Sequence, residues 1–254
     1  MLRRLIAALP LLVPPMAAAK DDPPLEKHVY QDDAGRKLPY RLLKPPAVEE
    51  GKRYPLVIFL HGAGERGTDN EKQLVHGVPQ FTAKAIREKY PCFLIAPQCP
   101  EGKRWVEVDW SADRHTQPKE PGEVGRMVLG LIEKAVDRLP VDPKRVYITG
   151  LSMGGYGAWD LLARRPDLFA AAAVVCGGAD EATAEQIKGV PQWIFHGAKD
   201  TAVKPDRSRN MVAALRKAGG TPKYTEYPDV GHNSWDPAYR DSELYAWLFA
   251  QSKK

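Results

Sequence analysis

Cysteine is scarce: the 254 residues hold three, Cys92, Cys99 and Cys176. An odd number cannot all pair. Cys92 and Cys99 flank an extended run whose ends would stand about 20 Å apart as one strand, beyond disulfide reach. Three free, mostly buried thiols are therefore expected rather than a disulfide framework. Metal-ligand spacings are also missing. The chain has neither CxxC nor HExxH and its six histidines are dispersed, so no metal and no cofactor is expected. A dense basic stripe is missing as well. Lysines and arginines are scattered among acids, as in "IREKYP" and "EKAVDRLP", which reads as a solvated surface and argues against a nucleic-acid partner. Repeats and low-complexity linkers are absent too, which favours one domain.

No apolar run is long enough to cross a bilayer. The first residues, "MLRRLIAALPLLVPPMAAAKDD", carry Arg3 and Arg4, a short proline-broken apolar run, and small residues at Ala17 and Ala19. That pattern predicts a secretory signal peptide over residues 1–19 and a single domain over 20–254, secreted or periplasmic, with no membrane association after cleavage. No cysteine follows the small residues, so no lipid anchor is expected. Losing Arg3 and Arg4 with no acid lowers the formal charge from +5 to +3.

What is present is a globular composition, 43% hydrophobic and 27% charged, in a chain long enough for one sizeable core. "KHVYQ" and "LPYRLLKP" flank "DDAGRK", a hairpin turning at Gly35. Then come "YPLVIFL", "CFLIAP", "RVYITG", "AAAVVCGG", "QWIFHG" and "PKYTEYP", short runs that suit strands of a mostly parallel sheet, several of them buried on both faces. Between them "VGRMVLGLIEKAVDRL", "GYGAWDLLARRP", "PDRSRNMVAALRKAG" and "SELYAWLFAQSKK" have helical spacing. In the first, Val128, Leu131, Ile132 and Ala135 share a face. The alternation predicts an α/β fold, a mostly parallel central sheet with helices on both faces and an N-terminal antiparallel hairpin.

The stretch "VYITGLSMGGYGAW" places Ser152 where a strand gives way to a helix, the context of a G-x-S-x-G nucleophile elbow. Gly150 and Gly154 leave room where a side chain would clash. Beyond the serine, a helix N-terminus offers free N–H groups to a developing oxyanion. The base must lie downstream, and His232 in "YPDVGHNSW" is the histidine late enough. The acid is expected at Asp200 in "IFHGAKD", with Asp180 after "VVCGG" as runner-up. Oxyanion donors are expected at the N–H of Met153 and, in "HGAG", of Ala63, with Gly64 as alternative. His61 is read as a structural residue of that loop.

With those residues placed, the chain resembles the α/β-hydrolases. "LHGAGERG", "DPKRVYITGLSMGGYGAWDLLARRPDLFAAAAVVCGG" and "FHGAKD" are similar to secreted bacterial esterases of the polyhydroxybutyrate-depolymerase, feruloyl-esterase and prolyl-oligopeptidase-like groups. The resemblance implies a triad of Ser152, Asp200 and His232 and hydrolysis of a carboxylic ester, small or polymer-borne, through an acyl-enzyme. An exported serine peptidase and a non-catalytic binding protein are the rival readings, and a chromogenic ester separates them. The peptidase needs a charge or pocket that grips an amine, and none is legible. "ADEATAEQIKGVP" is too short for a cap domain, so the site should be open. Trp105, Trp110 and Trp235 are read as an aromatic wall for a bulky feruloyl or acetyl ester. The oligomeric state is not legible.

Overall fold

The computed structural model describes residues 25–254, so the leader expected over residues 1–19 lies outside the described residues. Eight strands form one sheet: β1 Glu26–Gln31, β2 Lys37–Leu43, β3 Tyr54–Leu60, β4 Phe93–Pro97, β5 Val141–Leu151, β6 Ala171–Val175, β7 Gln192–Gly197 and β8 Lys223–Tyr227. Their order is β1-β2-β4-β3-β5-β6-β7-β8. β1 and β2 pair antiparallel around Gly35, whose φ of 78° favours glycine, and β2 pairs antiparallel with β4. All later pairings are parallel.

The helices are α1 Val78–Thr82, α2 Lys84–Lys89, α3 Glu123–Arg138, α4 Met153–Arg164, α5 Ala184–Ile187, α6 Asp206–Lys217, α7 Trp235–Arg240 and α8 Ser242–Phe249. They cover both faces of the sheet. On β3, Leu56, Ile58 and Leu60 join the layer with α3, α4 and α6, whereas Val57 and Phe59 join the layer with α1 and α8. Period-two alternation between two buried faces is why "LVIFL" is apolar throughout. α3 turns Val124, Met127, Val128, Leu131, Ile132 and Ala135 onto the sheet, the three-and-four spacing of an amphipathic helix.

Between β6 and β7 there is only a 3₁₀ turn, Glu181–Thr183, followed by the four-residue α5. No cap domain stands there. The long segment 98–122 forms no strand or helix, yet it carries Trp105, Val106 and Val108 into the interior. It runs across the carboxyl end of the sheet, where ligands of such sheets gather.

Candidate active site

Ser152 caps α4 directly after β5, with φ 52° and ψ −118°. For a residue with a Cβ this backbone costs on the order of 1–3 kcal/mol, and it persists because its surroundings hold it. The Ser152 N–H donates to Val175 O at 3.0 Å, tying the corner to the end of β6. A Cβ on Gly154 would stand 1.9 Å from Leu60 O, and one on Gly150 would stand 2.3 Å from Gly154 O. Both glycines are therefore steric necessities of the turn.

His232 lies between β8 and α7, and Asp200 between β7 and α6. The two loops touch: a Cβ on Gly197 would meet Gly231 O at 2.1 Å, and the Lys199 N–H donates to Val230 O. His232 Nδ1 lies 2.7 Å from Asp200 Oδ2, and His232 Nε2 lies 2.9 Å from Ser152 Oγ. Asp200 Oδ1 accepts the N–H groups of Ala202 and Val203, each at 2.9 Å. Burial works to raise the Asp200 pKa, but hydrogen bonds from His196, His232 and Val203 outweigh it, and the net shift is well below the usual carboxylate range. The ionised carboxylate only accepts, so His232 carries its proton on Nδ1 and offers Nε2 to the serine hydroxyl. Asp180 is occupied elsewhere, capping Ala182 N–H through Oδ1 and receiving Gln117 N–H through Oδ2.

Met153 and Ala63 each begin a helical turn, where a backbone N–H has no acceptor in its own helix. The loop carrying Ala63 is pinned from below. His61 is 1% exposed, its Nδ1 donates to Gly62 O at 2.6 Å, and its Nε2 accepts the Cys99 N–H at 2.9 Å. Burial, aided by the charge of Arg66, pushes its pKa down to about 4, so the ring is neutral with both nitrogens occupied.

Trp105 requires a correction. It is not part of a wall: it is 1% exposed and donates its indole N–H to His61 O at 2.9 Å, which makes it a strut beneath the loop. Its apolar bulk and its single donor suit a buried position facing one carbonyl. Trp110 is half-buried, carries the Arg104 guanidinium 4.4 Å over its ring, and joins Val106, Val108, Tyr156 and Val203 in a small apolar cluster beside Asp200. Trp235 starts α7 and meets the His232 ring edge-on at 5.3 Å.

One supporting residue escaped the sequence. His196, fully buried on β7, shares Nε2 between Val203 O at 2.9 Å and Asp200 Oδ2 at 3.2 Å, while Nδ1 faces Ser208 Oγ of α6 at 2.7 Å. It stands four residues before Asp200 in "FHGAKD", but nothing in strand periodicity distinguishes such a histidine from packing. The three cysteines are free and buried, and burial pushes each thiol up to about 12. Cys176, Asp200 and His232 offer ligand atoms within 4.8 Å of one another. A metal there would need the imidazole nitrogen and carboxylate oxygen already bonded to each other, and a thiol that burial keeps protonated.

Two cavities lie remote from this corner. One of about 290 Å³ lies between the β1–β2 hairpin and α3, and one of about 230 Å³ lies beside β7 and α8. Ser152 and His232 themselves are partly exposed.

A sheet of this order, with a strained serine after β5, an acid after β7 and a histidine after β8, defines an α/β-hydrolase. Within that class the chain belongs to the dienelactone hydrolase family, whose model matches residues 111–243. It is similar to a thermostable esterase of known structure, with a TM-score of 0.84 and 40% identity, over 92% of this chain and 64% of that one. It is 29% identical over 148 residues to the poly(3-hydroxybutyrate) depolymerase of Ralstonia pickettii, covering 58% of this chain but 30% of that protein. A ferulic acid esterase from Anaeromyces mucronatus, at 15% identity and a TM-score of 0.66 over 90% of each chain, shares the fold.

Proposed function

We propose that the protein is an exported serine carboxylesterase that cleaves its ester through an acyl-enzyme on Ser152. The observation that carries this reading is the hydrogen-bonded line from Ser152 Oγ through His232 to Asp200, at 2.9 and 2.7 Å, beside helix-start N–H groups. Ser152 Oγ attacks the ester carbonyl carbon while His232 Nε2 takes its proton. The oxyanion is held by the N–H groups of Met153 and Ala63. Collapse breaks the bond to the alcohol oxygen, to which His232 returns the proton. Water then repeats the attack and releases the acid. Asp200 keeps the imidazole tautomer and stabilises its cation.

The substrate is a bulky or polymer-borne ester, with feruloyl or acetyl esters of polysaccharide as the leading class. Support comes from the uncapped, partly exposed serine, the absence of a lid element between β6 and β7, and the Trp235 ring against His232. The relatives act in the same chemical class by their names. The test uses the chain from residue 20. It should hydrolyse 4-nitrophenyl acetate with ordinary saturation, and a fluorophosphonate should add one adduct, mapped to Ser152 by peptide mass. A chain that is inert to both reagents while fully folded would sink the serine mechanism. A jump in rate at an oil interface would instead mark a lidded lipase. Export is tested by the mass of the protein recovered outside the cytoplasm, which should start at Lys20.

A further inference from the structure

Glu65 is the anomaly of the oxyanion loop. It ends the 3₁₀ turn Ala63–Glu65, its side chain is 14% exposed, and its Oε2 is sealed from solvent without a hydrogen-bond partner. A Cβ built on Gly62 would lie 3.0 Å from that oxygen and 3.7 Å from Ser152 Cβ, so the carboxylate stands within a side chain's length of the nucleophile. The other oxygen, Oε1, lies 3.9 Å from His76 Nε2. His76 packs against Trp235 at 5.3 Å, and Trp235 packs against His232 at 5.3 Å. Glu65, His76 and Trp235 therefore form a continuous rim from the oxyanion loop to the general base.

A carboxylate left near a developing oxyanion opposes it, and a buried acceptor without a partner is costly. The sealed oxygen, Oε2, stands 4.0 Å from His61 Nδ1 and is out of a ligand's reach, so the oxygen left for a ligand is Oε1, on the side of His76. The gap to His76 indicates what it can bind. At 3.9 Å the two atoms are too far apart to bond directly, yet one oxygen can sit about 2.8 Å from each. A hydroxyl matches that pair, donating to the carboxylate and accepting from the imidazole N–H. With the His76 proton on Nε2, an ammonium, which only donates, would leave that N–H unanswered. The position follows from the chemistry: the leaving oxygen must come within reach of His232 Nε2, so the alcohol part of the ester lies against whatever surrounds His232. The partly exposed Trp235 stands beside that alcohol, and Glu65 with His76 stands beyond it.

We infer that Glu65, His76 and Trp235 form a subsite for the alcohol part of the ester, specific for a hydroxyl-bearing ring such as a pyranose. This rests on the ester reading above and names its substrate class. The test is binding of the free alcohol, which needs no turnover: xylotriose titrated into the Ser152→Ala protein by calorimetry, with cyclohexanol as the ring lacking further hydroxyls. Xylotriose should bind and cyclohexanol should not. Glu65→Ala and His76→Ala should each weaken xylotriose at least tenfold, and Glu65→Gln, which keeps an acceptor oxygen, should restore affinity to within about threefold. Glu65 makes no protein hydrogen bond that these changes break, and a thermal melt verifies folding. No xylotriose binding, equal binding of cyclohexanol, or affinity unchanged in Glu65→Ala would each overturn the subsite, and preference for 6-aminohexanol would replace it with an ammonium site. Hydrolysis of 4-nitrophenyl acetate by the unaltered chain reports separately on the ester reading.

Discussion

At the scale of single residues, the corner at Ser152 holds energy that a different side chain can release. Glycine adopts φ 52° without the Cβ clash, so Ser152→Gly should raise stability by about 1 kcal/mol, or about 2–4 °C in melting temperature, while turnover is lost. Ser152→Ala keeps the Cβ and should lose on the order of 10⁴-fold or more in kcat with melting near that of the parent. Asp200→Asn should cost about 10⁴-fold in kcat, because an amide cannot hold the Nδ1–H tautomer. Asp180→Asn should instead cost the fraction of a kcal/mol expected of a weakened cap, with kcat hardly moved. The reverse ranking would move the acid to Asp180. His196 acts through Asp200. Replacing it with phenylalanine removes one donor to a buried carboxylate, worth about 1.5–3 kcal/mol, so kcat should fall about ten- to a hundredfold with KM little changed. An equal fall in melting temperature without that kcat effect would make His196 merely structural.

At the scale of elements, what the sequence announces is whatever has a period or a fixed spacing. β3 and β4 are apolar throughout because both faces are covered, and α3 shows its buried stripe over four turns. The elbow is legible because strand, glycine spacing and helix coincide around Ser152, and Asp200 and His232 follow from chain order. α1, α2 and α7, at five or six residues, are too short to display a helical period. Trp105 turns inward instead of joining a wall, and its place is hidden in the sequence for a related reason. The loop that carries it has no period, so nothing in "EGKRWVEVDW" says which tryptophan turns inward, and the deciding partner, His61 O, is 44 positions away. Trp105→Phe keeps most of the bulk and loses that hydrogen bond. It should lower stability by about 1–2 kcal/mol and, by loosening the Ala63 loop, reduce kcat more than it raises KM in steady-state assays.

At the scale of the whole molecule, the depressed pKa of His61 ties stability to acidity. Its folded value of about 4 lies below the ordinary 6.5, so the unfolded chain takes up the proton first as pH falls. Stability is therefore fully present above about 6.5, declines between 6.5 and 4, and loses no more from this group below that, on the order of 3 kcal/mol in all. Melting temperatures measured from pH 7 to 4 should show that slope. His61→Asn should reduce it from a lower starting point, leaving the part due to His115, whose pKa burial also pushes down to about 4, and an unchanged slope would remove His61 from the acid response. The uncapped, partly exposed serine has a consequence for pharmacology. With no cap between β6 and β7 to close over it, the site gives a reversible drug-sized inhibitor little surface to bury, and such a ligand should be weak. Reagents that bond covalently to Ser152 Oγ draw their potency from the nucleophile itself, so phosphonates and carbamates should silence this protein where competitive ligands of the same size do not.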